Sequence, residues 1–303
     1  MDSVTHDLLT QRVGLLGNLP AMPSILSVLS EELSVRASQI NVDRVVETIS
    51  YDKALAAQCL RLANSALFRQ RADVSTVKEA VLALGLWRIR DLAFSCSLPL
   101  MFAHVCRSIR REVFWRHSLG AALIAQRLEK EFSKHKNQAY LCGLLHDIGV
   151  LVNGVLFPEE FRNVLEEAIR EKTSFLDMEE RVLGFTHAES GRLLAELWRL
   201  PLEVSETIEF HHHPEDQSTD NELTVIVSVA DKICFKYGLD YGYEDEQQLA
   251  LTNEDLWAPL HRRFPKAAEL SLEARDDLIE NVISEAGSIA DQVFSLAPQP
   301  APG

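Results

Sequence analysis

The chain has 303 residues, 47% of them hydrophobic and 25% charged, the profile of a folded globular protein and not of a disordered one. Lys and Arg number 30 against 45 Asp and Glu; the resulting formal charge of −15 repels a phosphate backbone, so nucleic acid is not an expected partner. No apolar run approaches the roughly 20 residues that cross a bilayer, no charged-then-apolar leader follows Met1, and the five cysteines form no CxxC pair, so the expectation is a cytoplasmic protein with buried thiols and no membrane association.

From Pro23 onward the apolar residues recur with a period near 3.6, which predicts an all-α chain. Thr76-Val77-Lys78-Glu79 and Thr186-His187-Ala188-Glu189 fit the capping box, and Pro158 followed by two glutamates suits a first helical turn. Gly85 and Gly149 read as helix ends. Arg107, Arg110, Arg111 and Arg116 cluster, as a solvated helix face commonly does. The β-branched run Leu223 to Ala230 continues through Asp231 to Tyr237, which favours a buried helix over a strand. The expected organisation is a helical lobe over 15–108, a second over 109–240, and an extension over 241–303. That extension carries one amphipathic helix from about Leu272 to Phe294 and ends in a disordered Pro/Ala tail.

Seven of the ten histidines fall in the second lobe, and six of them, all but His135, have suggestive neighbours. His117 lies on the stripe of Val113, Gly120, Ala121, Ile124 and Leu128; His187 shares a face with Gly191, Leu194 and Trp198; Asp231 shares one with Val227 and Cys234. A carboxylate or imidazole on an apolar face requires a partner, because an isolated buried charge costs several kcal/mol. His146-Asp147 closes the apolar segment Leu141 to Leu145, and His211-His212-His213 follows a short helix. Taken jointly these groups point to a metal centre of His117, His146, Asp147, His187, His211, His212 and Asp231, with His213 the weakest candidate. Imidazole-rich ligation suits iron, manganese, zinc or nickel and not calcium or magnesium, which prefer oxygen shells. His6, His104, His135 and His261 have no such neighbours.

The order H…HD…H…HH…D formed by these residues resembles that of the HD superfamily of metal-dependent phosphohydrolases, in its two-metal form. Beyond the ligands, the chain resembles the HDOD family, the HD-related output domain of bacterial signalling proteins. The matching text is Leu19-Pro20-Ala21-Met22-Pro23, Asp52-Lys53-Ala54-Leu55, Leu60 to Ala66, Glu79-Ala80-Val81 and Leu84-Gly85, then His187 to Gly191, Trp198 to Pro201 and His211 to Pro214. The resemblance covers residues 15–240 and implies a two-lobed helical fold with a regulatory role. It also implies that His117, His146, Asp147 and Asp231 hold one divalent transition-metal ion, iron or manganese being favoured over zinc or nickel. Asp147 then bridges to a second ion held by His187, His211 and His212.

Two departures separate the chain from the cyclic-dinucleotide phosphodiesterases of the HD-GYP type. Val150 stands where they carry a lysine, and Pro214-Glu215-Asp216 where they carry Gly-Tyr-Pro. The functional expectation is therefore a signalling module that acts through protein contacts and has a structural or sensory metal centre. A phosphohydrolase acting on a nucleotide or cyclic dinucleotide, with Asp147 as its essential residue, is the first alternative, and a di-iron oxygenase the second. No GxSxG, Walker or dinucleotide fingerprint is present.

Overall fold

The computed structural model describes residues 19–34, 41–65, 73–102, 109–133, 137–240 and 251–294; the tail after 294, His6, His104, Cys106, Arg107 and His135 lie outside them. The described residues are helical with no strand. They fall into two compact units, one containing Ala21–Ala103 and the other His104–Ala286.

The first unit is built from α1 (Ser24–Ser34), α2 (Val42–Tyr51), α3 (Lys53–Ala63), α4 (Val77–Leu84) and α5 (Leu86–Met101). Each start has a local cause. Asn41 accepts from the Arg44 N–H and Asp52 from the N–H groups of Ala54 and Leu55. Thr76 and Glu79 form the expected reciprocal capping box. Gly85, at φ +86°, ends α4 and turns the chain directly into α5, a conformation that side chains with a Cβ rarely adopt.

The second unit runs through α6 (Arg111–Phe132), α7 (Ala139–Leu145), α8 (Ile148–Leu156), α9 (Pro158–Glu171), α10 (Phe175–Leu183), α11 (His187–Leu197), α12 (Leu202–Phe210) and α13 (Glu222–Lys236). Next come α14 (Asn253–Arg263), α15 (Pro265–Ala268) and α16 (Leu272–Phe294), whose residues to Ala286 belong to this unit. Helices α6, α7 and α13 pack together and α14 packs on α13, so part of the C-terminal extension joins the second lobe's core. Thr186 and Glu189 form the second expected capping box, and Leu223 to Lys236 is helical throughout. The thiols of Cys59, Cys96, Cys142 and Cys234 are buried and unoxidised.

Gly149 does not end a helix. It is the second residue of α8, and its lack of a side chain serves packing: an added Cβ would overlap the His187 carbonyl oxygen and lie 2.6 Å from the Gly191 nitrogen. Gly143 does the same for α7 on α6, where a Cβ would meet the Ala121 carbonyl at 2.8 Å. The apolar stretch Ala139–Leu156 is long enough to cross a membrane by length and composition, contrary to the expectation from run length, yet 94% of it is buried inside the protein. The turn at His146-Asp147 divides it into α7 and α8.

A carboxylate fixes the α6–α7 connection. Glu129, buried on α6, accepts from the backbone N–H groups of Asn137, Gln138 and Ala139 at 3.0, 3.1 and 3.2 Å, so one side chain caps the start of α7. Glu129→Ala removes the acceptor shared by all three and leaves the buried Ala139 N–H without it, and should destabilise the protein by about 1–3 kcal/mol. Gly149→Ala forces α8 and α11 apart and should cost about 3 kcal/mol by overpacking. Chemical denaturation measures both, and an unchanged midpoint for Gly149→Ala would contradict the packing argument.

Candidate metal centre

The seven residues singled out in the sequence converge inside the second unit. His117 comes from the middle of α6, His146 and Asp147 from the α7–α8 turn, His187 from the first position of α11, His211 and His212 from the end of α12, and Asp231 from α13. They form two groups: His117, His146, Asp147 and Asp231 in one, Asp147, His187, His211 and His212 in the other. Within each group the ligand atoms lie within 4.8 Å of one another. His213 stays outside, 58% exposed beside Glu215.

Asp147 belongs to both groups through different oxygens. Its Oδ2 is 3.1 Å from His146 Nε2 and 3.5 Å from His117 Nε2, while its Oδ1 is 3.2 Å from the Nε2 atoms of both His187 and His211. Asp231 Oδ1 completes the first group at 3.2 Å from His117 Nε2.

The tautomers follow from what stands behind each ring. His117 Nδ1 donates to the Leu239 carbonyl at 2.6 Å, His146 Nδ1 to that of Gly143 at 2.7 Å, and His211 Nδ1 to that of Ile208 at 2.8 Å. A carbonyl only accepts, so each Nδ1 carries the hydrogen and each neutral ring turns a bare Nε2 inward. His187 is held differently: Glu179 Oε2 accepts from its Nδ1 at 2.6 Å and from its backbone N–H at 2.8 Å, and Asn153 Nδ2 donates to Glu179 Oε1 at 2.9 Å.

Acceptors therefore face acceptors. His117 and His146 Nε2 are 3.2 Å apart, and Asp147 and Asp231 stand against the same two atoms; Asp147 Oδ1 likewise faces the bare Nε2 atoms of His187 and His211, and His212 Nε2 lies 2.9 Å from that of His187. His211 Nε2 and Asp231 Oδ1 are buried and make no hydrogen bond among the described residues. Only a positive charge at the foci of the two groups makes this arrangement favourable. If protons alone supply it, burial opposes them, but Asp147, Asp231 and Glu179 prevail: His146, beside both aspartates, and His187, beside Glu179 and Asp147, are each raised to about 10. Burial likewise works against ionised Asp147 and Asp231, yet the surrounding imidazoles hold both below the usual carboxylate range. Burial leads in depressing His211 and His212; for His212 the neighbouring His211 and His187 add to it.

The separations fit metal ligation. Two donors about 2.1 Å from one ion and at right angles lie about 3.0 Å apart, close to the 2.9–3.2 Å contacts seen here. The hydrogen-bonded Nδ1 behind His117, His146, His187 and His211 is also the usual support for a histidine ligand. Sequence reasoning missed Glu179 and Asn153. Glu179 was open to the criterion that selected Asp231, since it shares the buried face of α10 with Phe175, Met178 and Leu183. Asn153 is an amide buried in the apolar helix α8.

The HDOD domain model matches residues 19–214. An HDOD domain protein of unknown function from Geobacter sulfurreducens is 27% identical and superposes with a TM-score of 0.80 over 95% of this chain and 99% of its own, so the likeness continues past residue 214 into the C-terminal helices. A provisionally named phosphohydrolase from Shewanella amazonensis is 25% identical, with a TM-score of 0.73 over 96% of this chain and 98% of its own. An uncharacterised protein of Treponema pallidum is 28% identical over 198 residues, 65% of this chain and 38% of that protein, so the chain spans well under half of that relative's length. The chain belongs to the HDOD domain family.

Proposed function

We propose that this protein is a cytoplasmic signal-transduction module that retains a two-ion transition-metal centre and acts through contacts with a signalling partner. The observation that carries the metal reading is the set of four rings whose Nδ1 atoms are tied back by Leu239, Gly143, Ile208 and Glu179, so that every Nε2 is presented to Asp147 or Asp231. His117, His146, Asp147 and Asp231 hold one ion, and Asp147, His187, His211 and His212 the other. Bound ions supply the buried carboxylates with counter-charge and tie five helical elements together, which makes ion occupancy a term in the stability of this lobe. Six of the seven ligands are buried, and Val150, directly after Ile148-Gly149, is apolar and buried, so this position offers a phosphate no cationic side chain.

The test is element analysis of protein purified without added metal. About two ions per chain, iron or manganese first, is the expected result, with a lowered Tm after chelation. Under about 0.2 ion per chain, with a Tm indifferent to chelator, is incompatible with the reading. Asp147→Ala should empty both positions at once, because Asp147 is the one side chain shared by the two groups.

A second reading has one observation in its favour, the side-by-side placement of two ligand groups about a shared carboxylate, in a chain similar to a provisionally named phosphohydrolase. Two ions there would polarise a phosphodiester and lower the pKa of a bound water. Manganese-dependent hydrolysis of a cyclic dinucleotide that disappears in Asp147→Ala would establish it; stoichiometric metal without turnover supports the signalling module.

A further inference from the structure

Resting on the two-ion reading, we propose that the two halves of the centre hold their ions unequally: the half formed by Asp147, His187, His211 and His212 is the exchangeable one, and Glu179 sets its affinity. Charge gives the first argument. The half containing Asp231 sets two carboxylates and two imidazoles around its focus, whereas the other sets one shared carboxylate and three imidazoles. A cation is held more weakly where less negative charge faces it.

Access gives the second. All four members of the Asp231 half are buried, and in the other half His212 alone is partly exposed. An ion leaving or entering by way of His212 displaces one ring at the end of α12, while the Asp231 half offers no such member.

Glu179 compensates the weaker half. His187 is the one ring of the four backed by a carboxylate, the other three being backed by carbonyls, so an additional negative charge stands one ring away from the ion. Glu179 is fully buried and held by the His187 N–H and by Asn153 Nδ2, which fixes the plane of the His187 ring. Outer carboxylates of this kind contribute about 10- to 100-fold in metal affinity. Glu179 is thus a positioning residue for the second ion with no contact to it.

The test uses the full chain and Mn2+ alone, titrated against a fluorescent chelator. The wild type should release manganese in two steps. Glu179→Gln keeps the side chain's shape, and Asn153 can turn its otherwise unbonded buried Oδ1 toward the new amide. It should weaken the looser step about 10- to 100-fold and leave the tighter one unchanged. Asp231→Asn should weaken the tighter step instead. Release of both ions in one step, or unchanged affinities in Glu179→Gln, would overturn the inference while leaving the two-ion reading intact; a wild type that binds no manganese would remove both. Should Glu179→Gln not fold, Asn153→Ala decides, through a smaller loss confined to the looser step.

Discussion

Asp147 is the constraint around which the second lobe is arranged. Its carboxylate is buried and presents one oxygen to His117 and His146 and the other to His187 and His211; burial works against its charge, and without an ion the protons carried by His146, His117 and His187 hold it below the usual carboxylate range. A group of this kind is stable only while its neighbours remain in position, since removing one partner from a buried charge cluster costs several kcal/mol. The helices that carry the neighbours are therefore coupled to one another through it.

That coupling demands close approach, and small residues permit it. The chain turns between α7 and α8 at the two ligands themselves, and Gly149, two residues later, lets α8 lie against the start of α11, where His187 sits. Gly143 lets α7 cross α6 closely while its carbonyl takes the hydrogen of His146 Nδ1. The same short segment thus supplies ligands, tautomer control and helix contact. This accounts for an 18-residue apolar stretch that turns at two polar residues and still packs in the interior.

Much of this is legible in the sequence, for a physical reason. His117, His187 and Asp231 stand on apolar helical stripes, where an unpartnered polar group is costly enough to mark itself, and the capping boxes at Thr76 and Thr186 declare their helices through residue types at fixed spacing. Glu179 obeys the same rule, but its helix has nine residues and only Phe175, Met178 and Leu183 to mark the buried face, and the exposed Glu180 and Arg181 follow it directly in sequence. The carbonyls of Leu239, Gly143 and Ile208 are illegible, because a backbone acceptor leaves no trace in residue type. Gly149 was misread because helix ends and close crossings both select glycine, and only its neighbours in space separate the two.

The surroundings of the single partly exposed ligand bear on what the centre is for. After His212 the chain continues through His213 into a short 3-10 turn, Pro214–Asp216, where Glu215 stands 69% exposed and 3.7 Å from His213. Glu215 beside His213 attracts cations and repels phosphates, and the net charge of −15 extends the same preference over the molecule. A hydrolase for a dianionic substrate needs the opposite field, or a cationic side chain beside its ions, and the position after Gly149 is filled by buried Val150. The proposed exchange of a cation with solvent rests on a half whose four members are all buried and a half in which His212 is partly exposed. The acidic balance of the chain and the buried apolar Val150 are thus two features that the proposed signalling reading accommodates without a further assumption.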